Sequence, residues 1–134
     1  MNALLLNDLS QSKSILQLSI NGYIEALFSY DGNNKYQKFY GCDDNILLLE
    51  SLEKLVEKRL RNFLKDNTES LKFFLIKYSY RFIGMALYLT EMNYGNGFSQ
   101  LGLGQHGEKL AKSSENGNLA KRLYVNDLNM IVDK

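Results

Sequence analysis

The chain predicts an α+β fold, an N-terminal three-stranded antiparallel meander packed on an antiparallel helical hairpin. Three observations carry this expectation. Residues 16–30 alternate apolar and polar around Asn21-Gly22, residues 44–92 hold two strong helical patterns, and Asp66-Asn67-Thr68 separates those patterns by a short break. An all-α bundle of four to five helices is the alternative, because Leu16, Ile20, Tyr23, Ile24 and Leu27 also fit one helix face.

In the first region, residues 1–41, Leu16, Leu18 and Ile20 alternate with Gln17 and Ser19. Ile24, Ala26, Phe28 and Tyr30 then alternate with Glu25 and Ser29. A three-residue loop pairs Leu18 with Ala26 and keeps each face uniform, whereas a two-residue loop would set Leu18 opposite Glu25. Asp31-Gly32-Asn33-Asn34 leads into a third run through Tyr36 and Phe39. In a helix, Asn21-Gly22 would cost on the order of 1 to 1.5 kcal/mol relative to alanines, which tips the expectation toward strands.

Residues 44–92 form the expected hairpin. Leu52, Leu55, Val56, Leu60 and Phe63 recur at helical spacing, with Glu50, Lys54, Glu57, Lys58, Arg61 and Lys65 opposite. Asp43 or Asp44 is placed to cap the first helix, and Asn67 or Thr68 the second. From Leu71 to Met92 the pattern is apolar almost all round, with a narrow stripe of Ser70, Lys77, Arg81, Gly84 and Glu91, so this helix reads as the buried member of the pair. Residues 93–107 hold five of the ten glycines and read as a loop. Residues 108–134 read as a short helix around Leu110 and a last element through Leu119, Leu123, Val125, Leu128 and Ile131, helix or hairpin.

With 134 residues, no repeat and no proline-rich linker, one domain spanning residues 1–134 is expected. Sixteen basic and fifteen acidic residues leave a net charge of +1, which exerts no global pull toward nucleic acid or an anionic membrane. The single cysteine, Cys42, excludes an internal disulfide and fits a reducing compartment. The apolar stretch Phe73 to Leu89 is interrupted by Lys77, Arg81 and Gly84, and Leu4 to Leu6 is too short for a signal sequence. These features predict a cytoplasmic protein. Zero proline and tryptophan with abundant Lys, Asn, Ile, Leu and Tyr suggest an AT-rich genome, bacterial or phage.

The candidate chemistry is sparse. Gly102-Leu103-Gly104-Gln105-His106-Gly107 matches the spacing of a phosphate-cradling turn, in which glycines admit the backbone to a pyrophosphate and a helix N-terminus supplies N–H donors. No clear strand leads into it, and too little chain follows for a doubly wound sheet. Gly102, Gly104, His106 and Gly107 are therefore candidate ligand residues for a secondary reading, a phosphate or nucleotide binder. His106 is the sole histidine, so a multi-histidine metal site is excluded, and no EF-hand or Cys/His spacing occurs. No catalytic residue, metal or cofactor is assigned. Lys54, Lys58, Arg61 and Lys65 form a basic strip able to track phosphates, but Glu50, Glu53 and Glu57 interleave with it and argue against nucleic acid.

Nine tyrosines and seven phenylalanines remain, and Tyr30, Tyr36, Phe39 and Tyr40 flank a turn-rich segment. Tyrosine joins apolar area to a polar tip, which suits protein interfaces. The expected function is a small non-enzymatic interaction module, such as a regulatory adaptor, inhibitor, immunity-type or chaperone-like protein. Its partner is another protein, and homo-oligomerisation is compatible with the pattern.

Overall fold

A computed structural model describes residues 7–27, 29, 46–95 and 97–115. Within them the chain is 81% helical, with five α-helices and no strand. The expected meander is thereby overturned along residues 13–26, which form α1 (Lys13–Ala26). The third proposed strand, through Tyr36 and Phe39, lies outside the described residues. Ser12 starts α1, its hydroxyl accepting the Ile15 N–H at 3.2 Å. Leu16, Ile20, Tyr23 and Leu27 are buried, while Leu18 is 40% exposed. A strand would have kept Leu18 on the face of Leu16 and Ile20, so the burial follows a helical period.

The supposed turn at Asn21-Gly22 is a helix contact. A methyl group at Gly22 would overlap the Arg81 carbonyl, and one at Gly84 would overlap the Ser19 carbonyl. These glycines let α1 lie backbone-close to α4 (Tyr80–Glu91), its broadest packing partner. The Ser19 hydroxyl donates to the Tyr80 carbonyl at 3.1 Å, and Arg81 pairs with Glu25 across the same contact. The propensity cost of glycine inside a helix is offset by this close approach.

The expected two-helix hairpin becomes three helices, α2 (Ile46–Asp66), α3 (Thr68–Lys77) and α4. Asn67 joins α2 to α3 but does not cap. Its amide donates instead to the Phe63 carbonyl at 2.9 Å and to the Ser113 hydroxyl at 2.8 Å. The second expected helix breaks at Tyr78-Ser79, where the Ser79 hydroxyl accepts from Phe82 N–H at 3.2 Å and starts α4. The partnerships differ from a hairpin as well. The main contact of α4 is with α1, that of α3 is with α5 (Gln105–Ser114), and α2 packs chiefly on α1.

The core joins Tyr23, Leu52, Val56, Leu60, Phe63, Leu71, Phe74, Leu87 and Tyr88 with Phe98 and Leu110. Phe98 comes from the glycine-rich segment, and its ring centroid lies 5.5 Å from that of Phe63 and 5.6 Å from that of Phe74. That segment is consequently pinned. Asn93 has φ 58°, the Asn93 N–H bonds to the Thr90 carbonyl at 3.1 Å, and the Tyr94 N–H bonds to the Leu89 carbonyl at 2.9 Å. This is the paired-bond termination that usually uses glycine. Thr90 then accepts the Phe98 N–H at 3.0 Å. At the N-terminal end, Asp8 caps a short turn, Leu9–Gln11. A hydrogen bond from the Ser10 hydroxyl holds the Asp8 carboxyl below its ordinary pKa, against an opposing desolvation effect.

Candidate functional site

The surface built by α3 and α5 brings together the one histidine, a buried hydroxyl and the most exposed apolar side chains of the described residues. Leu71 and Phe74 on α3 are fully buried, whereas Phe73 is 50% exposed and Ile76 is 73% exposed. Three residues apart, Phe73 and Ile76 stand one turn above the other on a single face. Lys72 and Lys77 border this stripe on either side, with Glu69 at its N-terminal end. Lys72 pairs with Glu69 at 3.5 Å. Lys77 sits 5.9 Å from the centre of the Tyr78 ring.

Helix α5 is seated beside this stripe by Gly107, where a methyl carbon would come within 2.6 Å of the Phe98 carbonyl. That approach lays the His106 imidazole flat on the Phe73 ring, with centroids 3.9 Å apart and planes 15° from parallel. His106 Nδ1 lies 3.2 Å from the Ser70 hydroxyl. A hydroxyl beside an imidazole is the beginning of a nucleophile–base pair, but such a pair needs a third group to orient the base. Among the described residues no carboxylate hydrogen-bonds the imidazole. The contact ties α5 to α3 and holds Phe73 in place. Tyr78 fastens the loop from the other side, its hydroxyl donating to the Leu101 carbonyl at 3.0 Å.

An open polar groove of about 370 Å³ adjoins Ser70, lined also by Asn7, Lys65, Asp66, Asn67, Thr68, Glu69 and Lys109. Two lysines face two carboxylates there, so the groove has no single charge.

The G-x-G-x-x-G spacing is divided between two tasks. Gly102 and Gly104 adopt φ of 73° and 61°, a left-handed backbone that favours glycine, and lead into α5. Both are open: a methyl at Gly104 would meet nothing within 4 Å, and at Gly102 only the Lys77 ammonium at 3.8 Å. Gly107 lies inside α5 as a packing residue, and His106 is committed to Ser70 and Phe73. Lys54, Lys58, Arg61 and Lys65 are all exposed on α2, and Arg61 is paired with Glu57 at 2.7 Å. Tyr30, Tyr36, Phe39 and Tyr40 lie outside the described residues, as does Cys42.

Phe73 and Ile76 were hidden from sequence reasoning because Leu71 to Met92 is apolar on nearly every side, and its apolar excess reads as core. The available signal was their flanking by Lys72 and Lys77. Among the described residues no group of three His, Cys, Asp or Glu side chains could hold a metal ion, and no helix is long and apolar enough to cross a membrane. The sequence matches no family model, and neither a curated protein nor a solved structure resembles it significantly.

Proposed function

We propose that the chain is a non-enzymatic protein-interaction module whose docking face is the outer surface of α3. One observation carries this reading: Phe73 and Ile76 are exposed on a helix whose opposite residues, Leu71 and Phe74, are fully buried. A large exposed apolar side chain is ordinary when alone, but two stacked on one face, rimmed by charges, suit a partner surface. The Phe73 ring is held flat by His106, so the face is ordered before a partner arrives, which lowers the entropy lost on binding.

The test is capture from nuclease-treated source lysate with the tagged full chain, beside Phe73→Ser/Ile76→Ser and Ile76→Ser alone. A stoichiometric protein should be retained by wild type, weakened by the single substitution and lost with the double one. The melting temperature should fall by no more than about 5 °C, since the double substitution removes one ring stack and little buried area. A collapse in melting temperature would assign both side chains to the core, and equal capture by all three proteins would place the interface elsewhere.

A further inference from the structure

We draw no further inference here: the strongest candidate, the exposed Phe73 and Ile76 stripe on the outer face of α3, belongs to the docking face already proposed, and nothing in the structure shows what covers it.

Discussion

At Gly22 a methyl group would overlap the Arg81 carbonyl, and at Gly84 it would overlap that of Ser19, so each helix supplies the gap that the other fills. These glycines act through space, because both sit in ordinary helical backbone. Gly104 acts through conformation, with φ 61° and open surroundings. The two cases separate by experiment. Gly22→Ala should destabilise by about 3 kcal/mol, the upper part of the range for overpacking, because the obstructing atom is backbone and cannot swing aside. Gly104→Ala, costing only the strain of a backbone at φ 61° and ψ −136° that side chains avoid, should lose about 2 kcal/mol. Urea denaturation reads both, and equal losses would refute the distinction. Glycine at position 22 also explains why the N-terminal segment misleads as sequence. Asn-Gly between alternating apolar residues is a strong hairpin signal, and its helical use depends on a neighbour more than fifty residues away. The local clues to the helix were Ser12 as a cap and the spacing of Leu16, Ile20, Tyr23 and Leu27.

Between Leu71 and Met92 the same lesson holds for a whole element. The apolar content predicts one long buried helix, yet Tyr78-Ser79 divides it, and the two halves face different partners, α5 and α1. Period alone does not show such a break, because both halves are helical. The signal that mattered was Ser79, a good capping residue placed before Tyr80-Arg81-Phe82. Ser79→Ala should cost about 1 kcal/mol, measured by thermal or urea unfolding, since the Phe82 N–H loses its acceptor. Ser79→Asp should restore that loss, as a carboxylate caps and also meets the helix dipole. An unchanged Ser79→Ala would mean that packing alone sets the break. The division has a consequence for the proposed docking face. By ending at Lys77, α3 is free to turn Phe73 and Ile76 outward, where a continuous helix would have had to follow the line that α4 takes against α1. The helix break at Asn67 was readable from sequence; the outward face was not, since exposure depends on where α5 lies.

Across the whole molecule, four helices meet at one buried ion pair. Arg59 on α2 donates through Nε to Glu91 of α4 at 2.8 Å, and through Nη2 to the Ser114 carbonyl at the end of α5 at 3.0 Å. The Tyr23 hydroxyl of α1 donates to the other Glu91 oxygen at 2.6 Å. The Glu91 side chain is fully buried and that of Arg59 is 13% exposed. In the linear chain Glu91 reads as one member of a narrow polar stripe on an otherwise apolar helix, and the packing of α1 on α4 gives it a buried partner. Taking two charges out of water costs several kcal/mol each, which their attraction and added hydrogen bonds must offset, so the pair contributes little net stability over an apolar substitute. Removing one partner is different. Glu91→Gln leaves the Arg59 guanidinium buried without its counter-charge and should cost about 3 to 5 kcal/mol. Arg59→Met/Glu91→Leu removes both charges and should cost much less than that single change. Urea denaturation of the two variants against wild type measures this. The ordering matters more than either value: if the double variant were the less stable, the ion pair would be a true source of stability. If it is the more stable, the pair instead specifies which ends of α1, α2, α4 and α5 converge, and thereby where α5 presents His106 to Phe73.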